Sequence, residues 1–386
     1  MPKSRRNFIR IIGSSAVILA AASAGVTGFA LTRTPESALK PWKTVGNAGY
    51  SDPRMRALSY AILAPNPHNR QPWMVDLKVE DEVNLYCDLD RLLPETDPFS
   101  RQITIGLGCF LELLNIAASQ DGFNIDIQPF PEGFSNEQLD KRPIARVRFT
   151  KAKTVKGDPL FAQIPHRRSN KKPFDITRKI PVNILDQLIS ADTSNVSTKV
   201  RNDDVFIHQM RSLTWRAMKT EIMTPHTMQE SIDLMRIGKT EINATPDGIG
   251  LSGAFLEGLS VTGILTRETM ADQNSSAFAT GLNMFDEILN SAMAYLWIST
   301  PENSRIDQIN VGRSYVRLNL KATELGLAFH PISQALQEYP EMSALYDELH
   351  QTVQAEGKRV QMLVRLGYGK TLDPSPRWPL DTKVIS

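Results

Sequence analysis

Ala64-Pro65-Asn66-Pro67-His68-Asn69-Arg70-Gln71-Pro72-Trp73 decides how this chain is read. Pro65 and Pro67 fix φ and remove backbone donors on either side of Asn66, and Pro72 does the same before Trp73. Asn66, His68, Asn69 and Gln71 carry hydrogen-bonding groups suited to a planar polar partner. The stretch follows a helix expected from Arg54 to Leu63; as a bare string it is more often an ordinary proline-rich turn, and only its wider context makes it a ligand loop. Trp73, at its end, is expected in the core.

A second stretch carries charge. Arg167, Arg168, Ser169, Asn170 and Lys171 are followed by Phe174. Arg167 and Lys171 can bring cations to a phosphate, arginine in forked geometry, and Ser169 can donate its hydroxyl hydrogen. Arg168 is the weaker member, because alternate residues of an extended segment point oppositely. By pattern alone, a solvated basic run with Lys172 weighs equally.

The two stretches together resemble a known superfamily. Ala64 to Trp73 resembles the A-P-S-x-x-N-x-Q-P-W element of the nitroreductase-like FMN flavoproteins, with Pro67 one place past the usual serine. Arg167 to Lys171 with Phe174 resembles the R-R-S-x-R/K-x-F signature by which that superfamily holds the FMN phosphate. The likeness runs from about Asp52 to Leu380, most like the duplicated single-chain, Acg-type branch. It implies that Asn69 and Gln71 face the ring or the ribityl chain. Asn66 and His68 would address ribityl hydroxyls and the pyrimidine edge, with Pro65 and Pro67 holding the backbone near the ring. His330, Pro331, Ile332 and Ser333, between Gly326 and Gln334, would pass beside the isoalloxazine, and either Arg365 or Arg377 would reach the phosphate. Hydride or electron transfer to a small-molecule acceptor would then belong to flavin N5, from a donor the sequence does not name. The protein would tune and shield it, with no catalytic side chain of its own.

Composition bounds the alternatives. The 386 residues are 41% hydrophobic and 22% charged, which is ordinary globular usage, and 44 basic residues face 42 acidic ones. Lys3, Arg5, Arg6 and Arg10 sit in an acid-free N-terminus, so the remainder carries no cationic excess, which argues against a nucleic-acid partner. Cys87 and Cys109 form no C-x-x-C pair, and the six histidines lack metal-ligand spacing. G-x-S-x-G is absent. Gly248, Gly250 and Gly253 spell G-x-G-x-x-G, but a turn at Thr245-Pro246-Asp247 precedes them where a dinucleotide site needs a strand.

Ser4-Arg5-Arg6-Asn7-Phe8-Ile9 matches the twin-arginine export pattern, and an apolar, small-residue stretch follows from Ile11 to Leu31. Ala22-Ser23-Ala24 offers a cleavage site, although the run is long enough to stay as a membrane anchor. The twin-arginine machinery moves folded proteins, so a cofactor inserted in the cytoplasm and a periplasmic destination are expected.

A linker (32–51) leads into a first half (52–155) and a second half (156–386). Expected strands are Met74–Val79, Val83–Asp88, Ile125–Gln128 and Ala145–Thr150, and expected helices are Ile103–Gln120, Val182–Ala191 and Arg305–Leu325. A shift of 204 positions superposes Ile105 on Ile309, Gly108 on Gly312, Leu114 on Leu318, Asn115 on Asn319, Ala118 on Ala322 and Gly122 on Gly326. This reads as an internal duplication whose glycines let two core helices approach closely. The first half has the loop without the basic signature, and the second half has the reverse. The expectation is an α+β nitroreductase-like fold duplicated as a pseudo-dimer, monomeric, with one FMN per chain at the interface of the halves. Residues 224–289 have no counterpart in the first half and read as a lid or a helical insertion. One rival is a non-catalytic protein that sequesters FMN under a closed lid; another is a membrane-anchored interaction protein without flavin.

Overall fold

The computed structural model describes residues 32–46, 49–192, 196–355 and 357–385, and the twin-arginine segment with its apolar run lies outside them. A short helix α1 (Glu36–Thr44) precedes α2 (Pro53–Ala61), which begins where the Asp52 carboxylate accepts from Arg54 N and Pro53 fills the first helical position. The ligand loop follows α2. Next come β1 (Trp73–Asp76), β2 (Glu82–Cys87), the long helix α3 (Arg101–Gln120), β3 (Phe123–Pro129) and β4 (Ala145–Lys151). β1 is shorter than its pattern suggests because the Asp76 carboxylate turns back to accept from Lys78 N. α3 starts two residues early because both Asp97 oxygens accept from its first amides, Gln102 N and Ile103 N.

The second half opens with α4 (Val182–Ile189) and β5 (Ser197–Arg201). Where β1 and β2 are joined by a short turn, β5 is followed by α5 (Asp204–Met223), α6 (Pro225–Asp233), β6 (Met235–Ile237), α7 (Gly238–Ala244) and β7 (Ile249–Leu251). Then come α8 (Ala254–Val261), α9 (Arg267–Ala271) and α10 (Ser276–Asn290). Chain order resumes with β8 (Ala294–Thr300), α11 (Arg305–Glu324), β9 (Ala328–Pro331), α12 (Ser343–Thr352), β10 (Arg359–Gly367) and a short β11 (Val384–Ile385).

The first sheet runs β1-β2-β4-β3 and the second β5-β8-β10-β9, antiparallel throughout, so each half pairs its strands in the order first, second, fourth, third. The exception is β11, which crosses from the second half to lie parallel on β1, pairing Val384 with Val75 and Ile385 with Asp76.

α3 and α11 form the seam between the halves. A Cβ on Gly108 would stand 2.3 Å from the Ile309 carbonyl oxygen, so the backbones touch where the glycines align. α3 is the one helix among the described residues long and apolar enough to cross a membrane, yet it is the buried core helix. Its single acid, Glu112, is 3% exposed and pairs with Arg313 at 2.8 Å and Arg317 at 2.9 Å on α11. β8 is buried on both faces. Leu296 and Ile298 join the main core, while Tyr295 and Trp297 join a second cluster with Phe206, Met210 and Leu213 of α5. α5 is therefore a core element, and the peripheral part of the insertion begins at α6. Inside the insertion, β6 and β7 pair parallel, and a side chain at Gly248 would strike the Leu234 carbonyl oxygen at 2.2 Å. That glycine serves strand pairing rather than a phosphate.

Candidate functional site

The loop between α2 and β1 is strained and heavily supported. His68, Asn69 and Gln71 take φ of 44°, 53° and 51°, a left-handed conformation that costs each non-glycine residue on the order of 1 kcal/mol or more. Asn66 closes the loop on itself, accepting from Gln71 N at 2.7 Å and donating to the Ala64 carbonyl at 3.1 Å. Asn69 donates to the Pro376 carbonyl and accepts from Arg377 Nη1 at 2.6 Å. Gln71, fully buried, donates to the Pro246 carbonyl at 2.7 Å and accepts from Trp378 N at 2.9 Å. The amides of Asn66, Asn69 and Gln71 thus all bond within the chain. They hold the loop's shape, and the C-terminal arm and the insertion complete it. Pro65 is buried, and Asn66, Pro67 and His68 keep partial exposure.

The insertion is latched to this loop. Gly248 N donates to the Asn69 carbonyl, and Asp247, 3% exposed, pairs with Arg91, with Arg236 at 3.1 Å and with Arg70 at 3.8 Å. Three guanidiniums from three separate stretches thus meet on one buried carboxylate.

The basic stretch meets the same loop. Arg167 is 3% exposed and its Nη2 donates to the Leu63 carbonyl at 3.0 Å, while Nε and Nη1 find no hydrogen-bond partner among the described residues. Burial draws its pKa down to about 10, which leaves it cationic at neutral pH. A buried charge with unmet donors is costly, so it marks a place shaped for an anion. On α11 beside it, the Tyr315 hydroxyl and both polar atoms of the Asn319 amide are also buried and unpartnered among the described residues. Burial pushes the Tyr315 phenol up, opposed in part by Arg167, Asn319 and Ser169. Sequence reasoning missed Tyr315, and it saw in Asn319 only a match to Asn115.

Arg168 points the other way. Its Nε donates to the Leu372 carbonyl, its Nη1 donates to the Pro165 and Arg167 carbonyls, and its guanidinium lies 4.8 Å over the Trp42 ring of α1. It ties residues near the two ends of the chain together. Arg365 and Arg377 are likewise bonded within the chain. Arg365 gives Nε to His330 Nδ1 at 2.8 Å and its remaining donors to Ile288, Ser291, Asn170 and Lys172. Arg377 gives its donors to Ile62, Leu63, Ala64, Asn69, Ser375 and Pro376. Each fastens the segments that carry the site, and neither keeps a spare donor.

Lys171 is solvent-exposed, although the protein packed around it lowers its pKa by desolvation. Its charge, after burial, depresses His68, which is held neutral with a pKa of about 4, and also helps depress His330. Because His330 Nδ1 accepts from Arg365, its proton sits on Nε2. Of its neighbours, Ile332 is 1% exposed and belongs to the second hydrophobic cluster, so its side chain is core, while Pro331 and Ser333 keep partial exposure. Lys171, His68 and His330 therefore come together from three separate stretches.

Glu221 of α5, within the electrostatic reach of Lys171, was not foreseen. It is 7% exposed, its Oε2 has no partner among the described residues, and burial raises its pKa from 4.5 to about 7. The unfolded chain ionises this carboxyl first, so stability falls as pH rises from 4.5 to about 7 and stays lowered above. Glu221→Gln is expected to raise stability at pH 8 by about 3 kcal/mol and to leave it unchanged at pH 4. Urea midpoints for both proteins at the two pH values check this, and a difference independent of pH would refute it.

No family model matches the chain. Among curated proteins, it is 23% identical over 333 residues to a Mycobacterium tuberculosis protein named "Putative NAD(P)H nitroreductase", covering 83% of this chain and 87% of that one. It is 25% identical over 356 residues to an uncharacterized protein of the same organism, covering 84% and 91%. Among solved structures, the FMN-dependent nitroreductase NfnB of Mycobacterium smegmatis, in complex with NADPH, aligns with a TM-score of 0.36 and 15% identity, over 57% of this chain and 94% of that one. The FMN and NADPH-dependent nitroreductase NfnB of a Sphigopyxis strain gives 0.37 and 13%, over 58% and 97%. This α+β chain is thus similar in sequence, over most of its length, to a protein that carries a nitroreductase name.

Proposed function

We propose that the chain is an exported, FMN-dependent oxidoreductase of nitroreductase type, built as a duplicated pseudo-dimer that holds one FMN between its halves. The observation that carries this reading is Arg167, a buried guanidinium with two unmet donors beside the Leu63 carbonyl at the head of the ligand loop. Two free N–H groups in fork geometry suit a phosphate. Ser169 adds a hydroxyl, and Lys171, His68 and the Nε2–H of His330 are the polar groups left for the remainder of the cofactor. When bound, FMN supplies the hydride or electron chemistry toward a small acceptor. The chain's own residues bind, orient and exclude water: Arg377 and Gln71 fix the loop, Arg365 fixes His330, and the insertion covers the loop from outside. The common strand order of the two sheets and the glycine seam support the duplication. The twin-arginine pattern supports a periplasmic, membrane-associated location. The relative that carries a nitroreductase name agrees with this reading.

The test is a visible spectrum with cofactor stoichiometry on the purified chain. The expected result is a yellow protein that releases one FMN per chain on denaturation. Two FMN per chain would refute the single shared site, and a colourless folded protein that ignores added FMN would refute the cofactor.

The latch at Asp247, Pro246 and Gly248 favours a second reading, a protein that keeps FMN under a closed insertion without turnover. Anaerobic mixing separates the two: bound FMN that no electron donor or acceptor reaches supports the second.

A further inference from the structure

The segment from Ser252 to Leu265, comprising α8 and the turn after it, carries one charged residue, Glu257, and that residue faces inward. Glu257 is 8% exposed, its Oε1 accepts from Lys239 N at 2.9 Å, and its Oε2 accepts from Arg33 Nη1 at 3.3 Å. The outward surface is therefore uncharged, and it is apolar: Phe255 is 67% exposed, Val261 84% and Ile264 44%, with Leu256, Leu259 and Leu265 half-buried between them. Other exposed large apolar residues are scattered singly, which is normal, but a contiguous patch asks for a partner.

The chain itself indicates which partner. The described residues begin at Thr32, whose carbonyl accepts from Lys239 Nζ at 2.9 Å, and continue with Arg33, which is paired to Glu257 of α8. The apolar stretch Ile11–Leu31 thus joins the body beside this patch. At about 1.5 Å per helical residue it is long enough to cross about 30 Å of hydrocarbon. A membrane entered by that stretch would bring lipid against α8.

We propose that Ser252–Leu265 is a lipid-contact platform, an uncharged apolar surface that rests in the bilayer interface next to the N-terminal stretch and fixes how the body sits on the membrane. The inference rests on the reading that this stretch stays attached and inserted. Phe255, Val261 and Ile264 would enter the headgroup–acyl boundary as the apolar face of an interfacial helix does. Inward-facing Glu257 would remain paired, so no anion meets lipid.

The test uses the full chain with a single introduced thiol, since Cys87 and Cys109 are both buried. Val261→Cys and, as an exposed control elsewhere, Val205→Cys, at 80% exposure, are labelled with a polarity-sensitive dye. The chains are reconstituted into phosphatidylcholine–phosphatidylglycerol vesicles that contain brominated lipid. The expected result is a blue shift at position 261 only, with at least threefold stronger quenching by brominated lipid than at position 205. A chain that floats with the vesicles while both labels are quenched equally by aqueous iodide overturns the platform and leaves the anchor standing. A chain that does not float overturns the anchor, and the platform with it. A label at 261 already shielded before vesicles are added means that the chain or a second copy covers the patch, and this too overturns the proposal.

Discussion

Gly312→Ala is expected to destabilise the protein by about 3 kcal/mol or more, a large part of the roughly 5–15 kcal/mol that holds a typical domain together. The added Cβ would stand 2.0 Å from the Ile105 carbonyl oxygen, 2.8 Å from Cys109 N and 2.8 Å from Gly108 Cα. All three are backbone atoms of α3, so no side chain can rotate away. The only relief is to separate α3 from α11, and these helices carry Ile105, Leu111, Ile309 and Val316 of the main core. Alanine gains about 1 kcal/mol of helix propensity over glycine, too little to offset that separation. Gly258→Ala, in α8, is the control, because a Cβ there meets nothing within 4 Å. Denaturant midpoints by circular dichroism read both variants. Equal midpoints would mean that the helices do not touch at Gly108 and Gly312.

That contact is legible in the sequence, since a shift of 204 residues aligns the two glycines. The alternation of Arg167 inward and Arg168 outward followed from an extended backbone. α3, α11 and three of the four expected strands lie within two residues of their expected bounds, because their apolar periods reflect burial on one or both faces, whereas α5 and the strands of the second sheet were not foreseen. The polar loop stands out in the sequence by its prolines and amides, but the groups that hold it do not. Sequence gives the donors of Asn69 and Gln71, whereas their partners Pro246, Pro376, Arg377 and Trp378 lie 175 or more residues away. A side chain committed to such distant groups looks, in sequence, the same as one held ready for a ligand. Tyr315, Asn319 and Glu221 were missed for the converse reason. Each sits inside a helix with ordinary neighbours, and only the packing shows buried polar atoms that have no partner among the described residues: the Tyr315 hydroxyl, both ends of the Asn319 amide and Glu221 Oε2. The core role of α5 was not legible because the helix mixes polar and apolar residues evenly, and that role shows only through contact with Tyr295 and Trp297.

Arg167→Met is expected to abolish retention of FMN without weakening the fold, a combination that separates a ligand residue from a structural one. Each charge-assisted hydrogen bond is worth about 1.5–3 kcal/mol, so losing the two donors Nε and Nη1 should reduce affinity by roughly 10²- to 10⁴-fold. The apoprotein gains from the same change, because a buried guanidinium with unmet donors is exchanged for an apolar side chain of similar length. The one bond lost, from Nη2 to the Leu63 carbonyl, leaves that oxygen still accepting from Arg377 Nη2 at 3.2 Å. Apoprotein stability should therefore equal or exceed that of the parent. Arg168→Met is expected to behave oppositely. Its donors hold the Leu372, Pro165 and Arg167 carbonyls, so its removal costs stability and leaves FMN affinity within threefold. Quenching of free-FMN fluorescence on binding, with thermal melts of the apoproteins, reads both halves of the contrast. An Arg167→Met chain that keeps FMN with parental affinity would show that the unmet donors face something other than the phosphate, and the single shared site would lose its anchor. An Arg167→Met chain that both loses FMN and unfolds would instead make Arg167 a strut of the loop, with the anion-binding role passing to Lys171 and Ser169.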